Sequence, residues 1–314
     1  MHSKAVFSWM IFVGFLCFPI EAAIIIDGYT PATNNRFSNS VSFIALQFDL
    51  SGIGQTSSGR WATLISPNVV VSANHFPPGA GAVINFYANN NPASAAVQRT
   101  VSVTPGKTVQ VPNTDLWLGV LESNVPSSIR SYEYANTFLS GPSPNAQGFV
   151  TVNAGVFQNA NAYMFGLAPG VEQALQSQAV GRNRISGYAE NVASFPSTDN
   201  DSLLLDYDRP ANANYVQFES HVVVNDSGAP LFIENNGNLL LLGTNAFQLS
   251  ANGIVTGSGI NYIGNQSAFI SNFVSINAVP EPSSICLASM VFIAGYVANR
   301  RRKLGTHFVI SEPL

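Results

Sequence analysis

Cysteine is almost missing from this chain. Cys17 and Cys286 are the only two, and both lie in apolar segments near the ends. The long stretch between them therefore holds no disulfide and no cysteine metal site. Charge is scarce as well: Asp, Glu, Lys and Arg make up 10% of the 314 residues. Between residues 24 and 275 there are 8 Lys/Arg against 14 Asp/Glu, a net of −6. An acidic surface without a basic stripe argues against nucleic acid as the partner. Histidine is rare too, and residues 24–278 contain just His75 and His221. No helical pattern of convincing length appears before Ile270.

What the chain does have is Asn, Ser and Gly between short apolar runs. Strands are expected at 44–50, where Ile44, Leu46, Phe48 and Leu50 alternate, and at 60–66, 69–71, 82–87, 100–104, 116–121, 149–156, 162–165, 202–207, 239–243 and 261–263. Residues 173–180 fit a helix or a strand equally well. Many short strands joined by turns, without a short internal repeat, indicate an all-β sandwich or barrel. Asp199, Asp201, Asp206 and Asp208 form an acidic cluster of a kind that can hold Ca²⁺, but solvated loop carboxylates are the commoner explanation. No metal and no cofactor is expected.

The two ends read as addresses. Lys4 precedes an apolar run from Ala5 to Ile20, followed by Glu21-Ala22-Ala23. That is the layout of a secretory signal peptide over 1–23, and the small-residue rule allows cleavage after Ala22 or Ala23. At the far end, Val279-Pro280-Glu281-Pro282 leads into an apolar segment from Ile285 to Ala298 and then Arg300-Arg301-Arg302-Lys303. The segment is a transmembrane helix somewhat short of the usual span, with its basic end on the cytoplasmic side. This order resembles the PEP-CTERM sorting signal over 279–303. The resemblance implies export to a bacterial cell envelope, transient anchoring in the membrane, and processing by an exosortase-type enzyme. Residues 304–314 extend beyond the pattern, and a plain membrane anchor is the other reading.

The stretch with most chemical content is Val222-Val223-Val224-Asn225-Asp226-Ser227-Gly228-Ala229-Pro230-Leu231-Phe232. Apolar runs flank a tight turn that holds one hydroxyl, and such a serine becomes a nucleophile if a base takes its proton. His221 is too close in sequence to be a convenient base. His75 follows the apolar run Val69-Val70-Val71-Ser72-Ala73-Asn74, where a side chain can be fixed at the edge of a core. Asp115 opens the apolar run Leu116-Trp117-Leu118-Gly119-Val120-Leu121, and a carboxylate there needs a partner such as an imidazole N–H.

These three segments together resemble those of trypsin-like (chymotrypsin-fold) serine proteases, and the resemblance spans residues 24–278. It implies two six-stranded β-barrels with the site between them, and a polypeptide substrate. Ser227 would be the nucleophile, His75 the general base, and Asp115 the residue that orients it. The backbone N–H groups of Asn225 and Ser227 would form the oxyanion hole. Asn225 stands where the family has glycine, and Asn is among the few other residues that tolerate positive φ. Thr244 and Asn245 would lie beside the substrate. His221 occupies the position that sets primary specificity, where it either favours acidic or small polar side chains together with Thr244, or only caps a wide pocket. A freed Ile24 ammonium would pair with Asp226. The alternative function is a catalytically weak or inactive protease-fold protein that binds at the surface or in a matrix. An esterase on another fold is disfavoured, because Gly-x-Ser-x-Gly is absent.

Overall fold

A computed structural model describes residues 23–142, 150–171, 176–195 and 198–278. Of the segment 1–23 expected to be a signal peptide only Ala23 is described, and the expected sorting signal over 279–303 and the extension 304–314 lie outside the described residues. The chain opens with strand β1 (Ile25–Ile26) and one helical turn, α1 (Pro31–Asn34). Seven strands follow: β2 (Ile53–Gln55), β3 (Trp61–Ser66), β4 (Val69–Ala73), β5 (Val83–Phe86), β6 (Val97–Thr100), β7 (Thr108–Gln110) and β8 (Leu116–Val120). After β9 (Glu133–Tyr134) come β10 (Asn161–Gly166), β11 (Ala179–Phe195) and β12 (Thr198–Asp206). The last strands are β13 (Ser220–His221), β14 (Pro230–Asn235), β15 (Asn238–Ala251) and β16 (Ile254–Tyr262), with helix α2 (Ser267–Asn277) behind them.

The protein is all-β and consists mainly of two curled seven-stranded sheets. The first runs β6-β5-β2-β3-β4-β8-β7, and the second β14-β10-β11-β12-β16-β15-β9. In the second, β14 also pairs with β15, so a ladder of six strands returns on itself. In the first, a bridge between Val101 and Leu121 brings the chain beyond β6 back to the chain beyond β8. Strand β1 pairs with β13, which ties the start of the described chain to the segment ahead of Ser227.

The unbroken apolar runs of the first sheet make sense once both of its faces are seen to be covered. Val69 and Val71 of β4, with Leu116 and Leu118 of β8, enter the large core shared with the second sheet. Val70 and Trp117, pointing the other way, pack with Leu64, Ile84 and Phe86 in a smaller core. Burying each such side chain contributes about 1.5–3 kcal/mol. Helix α2 closes the large core with Ile270 and Phe273, three positions apart on one face.

Three expectations change. Of 100–104, Thr100 is the last residue of β6 and Val101 makes a single bridge to Leu121, and no strand runs on to 104. Residues 44–50 are a series of turns, not a strand: Leu46 N–H donates to Phe43 and Phe48 N–H to Ala45. The buried set there is Phe43, Ala45, Phe48 and Leu50, while Leu46 is exposed, so the alternation in sequence was not the inward face. Of 149–156, the described residues give a single bridge from Val152 to Tyr188 and then a 3-10 turn at Gly155–Phe157. Residues 173–180 straddle undescribed positions, and their last two begin the 17-residue strand β11.

Candidate active site

Strands β4 and β8 are antiparallel neighbours, with Ala73 opposite Leu116. That register places residues just past the end of β4 beside those just ahead of β8. Asn74 N–H donates to the Asp115 carbonyl at 2.6 Å and holds the two ends together. His75 thus emerges next to Asp115 because two apolar strands end at the same level. Beyond it, Arg60 fixes the chain, with its guanidinium 4.8 Å from the Phe76 ring centroid and one N–H on the Pro77 carbonyl.

Asp115 is 1% exposed, and a bare carboxylate there would cost several kcal/mol. Its oxygens are well supplied. Oδ1 accepts from the His75 backbone N–H at 2.8 Å. Oδ2 lies 2.6 Å from His75 Nδ1 and also accepts from Asn261 Nδ2 at 3.0 Å. With its Nδ1 proton directed to Asp115, the imidazole presents Nε2 as an acceptor, and Ser227 Oγ lies 2.6 Å from it.

Ser227 belongs to the second sheet, in the turn ahead of β14. Asp226 N–H donates to the Val223 carbonyl, Ala229 N–H to Asp226, and Gly228 N–H to Asn245 of β15. Asn225 has φ +77° and Gly228 φ +85°. At Gly228 glycine is also required by space, since a Cβ would lie 2.4 Å from Ser72 Oγ and 3.1 Å from Ala73 N. The close approach of this turn to the end of β4 is what brings Ser227 to His75. Among the described residues, the backbone N–H groups of Asn225 and Ser227 have no hydrogen-bond partner. They flank a cleft of about 440 Å³ whose lining includes His75, Phe76, Ser227, Asn245, Phe247 and Gln248.

The remaining expected residues are distributed unevenly. Asn245 lines the cleft, and its side chain donates to the Phe165 carbonyl. His221 and Thr244 are not among the lining residues. The His221 ring is buried edge-on against Tyr207, 4.5 Å between centroids, and burial pushes its pKa below the usual histidine value, helped by nearby Arg209. Thr244 is fully buried in the ladder, opposite Pro230 on one side and Asn261 on the other.

Ile24 and Asp226 do come close, since both lie against Gly166, where a Cβ would meet them at 2.6 and 2.7 Å. With Ala23 ahead of it, Ile24 carries an uncharged amide, which donates to the Leu167 carbonyl at 3.1 Å. Asp226 is fully buried and accepts from the Leu167 and Val223 N–H groups at 2.8 and 3.0 Å. Burial raises its pKa to about 8 against the pull of those two bonds.

Two residues at the site went unnoticed in the sequence. Asn261 reaches Asp115 from β16, and the Asn200 carboxamide oxygen accepts from the Asp115 backbone N–H. The available signal was a polar residue set between Ile260 and Tyr262. Nothing distinguished Asn200 from the aspartates around it. No protein-family profile matches the chain, and no curated protein matches it.

Proposed function

We propose that this protein is a serine endopeptidase of the trypsin-like kind. One observation carries the reading: Asp115, His75 and Ser227 form a continuous hydrogen-bonded line that ends beside two unpartnered backbone N–H groups in an open cleft. In the first half of the reaction, Ser227 Oγ attacks the peptide carbonyl while His75 Nε2 takes its proton. The tetrahedral oxyanion is received by the N–H groups of Asn225 and Ser227. The amine leaves with the proton returned by His75, and water then releases the acyl group from Ser227 by the same steps in reverse. Asp115 holds the ring and stabilises the imidazolium throughout.

Past Asn245, whose carbonyl accepts from Gly228 and whose N–H donates to Ala229, β15 pairs with β16 alone among the described residues, and Ala246, Phe247 and Gln248 line the cleft. An extended substrate would add there as a further strand. We read the two curled sheets as the two barrels of that family, and the ends of the chain as a signal peptide and a PEP-CTERM tail. Export, transient anchoring and exosortase processing follow from that reading.

A fluorophosphonate probe tests the proposal. The protein should be labelled and Ser227→Ala should not. Equal labelling of the two would overturn it, and absence of labelling in both would favour a protease-shaped binding protein.

A further inference from the structure

We propose that Asn261, with Asn200 beside it, is a positioning residue for Asp115, through which the second sheet sets the orientation of the base carried by the first. This role rests on the protease reading of the site. It assigns a task to two side chains that touch neither the cleft nor the nucleophile.

Asn261 sits in β16 opposite Ser202 of β12 and Thr244 of β15, and it is 1% exposed. Its Nδ2 donates to Asp115 Oδ2 at 3.0 Å and lies 3.3 Å from the Asp115 carbonyl. Oδ2 is the oxygen that also meets His75 Nδ1. Asn200, in β12, takes the Asp115 backbone N–H. Two carboxamides from neighbouring strands of the second sheet therefore grip one residue of the first, one by its main-chain donor and one by the oxygen that faces the imidazole. A carboxamide neither gains nor loses a proton in the working range, so it donates to Oδ2 at every stage of a proton transfer.

The grip has a cost to the fold. Among the described residues, Asn261 Oδ1 is buried without a hydrogen-bond partner, a state that is destabilising. Leucine has the same number and branching of side-chain heavy atoms, with bulkier methyls, and removes that unpaired acceptor. What the amide supplies is direction: Oδ2 is held by two donors, and the His75 ring follows Oδ2. Without Asn261 the carboxylate can rotate about its last bond, and Nε2 swings away from Ser227 Oγ. Because Asn261 does not line the cleft, substrate binding should be untouched.

Asn261→Leu and Asn261→Asp test the role with three readouts: thermal unfolding, kcat and KM on peptide substrates, and the low-field proton NMR signal of His75 Nδ1–H. The leucine variant should unfold at the same temperature or higher. Its kcat should fall roughly ten- to a hundredfold with KM unchanged, and the low-field signal should move or broaden. The aspartate variant keeps the shape, but its carboxyl shares one proton with Asp115 at low pH and offers only acceptors once both are ionised, so its kcat should fall below that of the leucine variant as pH rises. A leucine variant with unchanged kcat and NMR signal would overturn the proposal, as would an aspartate variant that stays above the leucine one at every pH. Should leucine prevent folding, Asn200→Ala takes its place, and an unmoved Nδ1–H signal there counts against the role. The NMR arm needs no substrate. A wild-type protein that neither cleaves peptides nor takes the probe ends the protease reading, while the His75 signal still decides what Asn261 does.

Discussion

The two sheets do different work with different regularity. Strands of the first are three to six residues long and show one shift of register, between Leu64 and Ser66. Strands β11 and β15 of the second run to 17 and 14 residues and carry several shifts, including one between Asn245 and Phe247 at the cleft. A bulge bends a strand and re-aims its side chains, which suits a wall that must shape a cleft. The first sheet, packed on both faces, suits the opposite task of holding His75 and Asp115 still. Precision and shape are divided between the halves.

The sharpest way to break that division is to remove one partner from each side. Ser227→Ala and His75→Ala should each lower kcat by at least about 10⁴-fold on peptide substrates, and the double variant should lose little more than either alone. Losses that multiply would mean that the two sheets do not act as one unit.

The next largest effect concerns the turn. Asn225→Gly keeps φ +77° accessible and should retain activity, whereas Asn225→Val strains the turn and should lose roughly a hundred- to a thousandfold in kcat. Equal activity of the two would show that the Asn225 N–H is not used.

The smallest effect reads stability alone. Burial raises the Asp226 pKa to about 8 in the folded chain, above its model-peptide value of about 3.9. The folded state therefore holds the proton more tightly, and the stabilisation present below about pH 4 is lost as pH rises towards 8. Thermal unfolding should follow that slope in protein that retains residues ahead of Ile24. Protein that begins at Ile24 brings an ammonium near the carboxylate and should flatten it. Identical profiles for the two would argue against an Ile24–Asp226 pair.

Much of the site could be read from local context, because its members sit where short patterns end. His75 follows a run of valines, Asp115 precedes an apolar strand, and Ser227 occupies a turn between two apolar runs. Each context survives in the fold as the end of a buried strand or a left-handed turn. The support behind Asp115 was not legible, since Asn261 and Asn200 are two among many asparagines and become special only through side-chain hydrogen bonds between the sheets that span 146 and 85 positions. His221 was legible as a neighbour of Ser227 but not as a ring turned onto Tyr207, which lies just past the end of β12. The misread turns at 44–50 show the limit of alternation: Ile44 and Leu46 keep the period of a strand, yet Phe43 and Ala45 are the residues the core receives.

The contact between His75 and Ser227 joins positions 152 residues apart on separate sheets. Bringing such distant segments together is slow and comes late, because the loop between them must be closed before the contact returns anything. A partly folded chain, or one still emerging from its site of synthesis, has a serine and a histidine but no means of joining them. On the protease reading, reactivity would arrive with the finished molecule, and a chain that stalls on the way would stay chemically silent towards its neighbours.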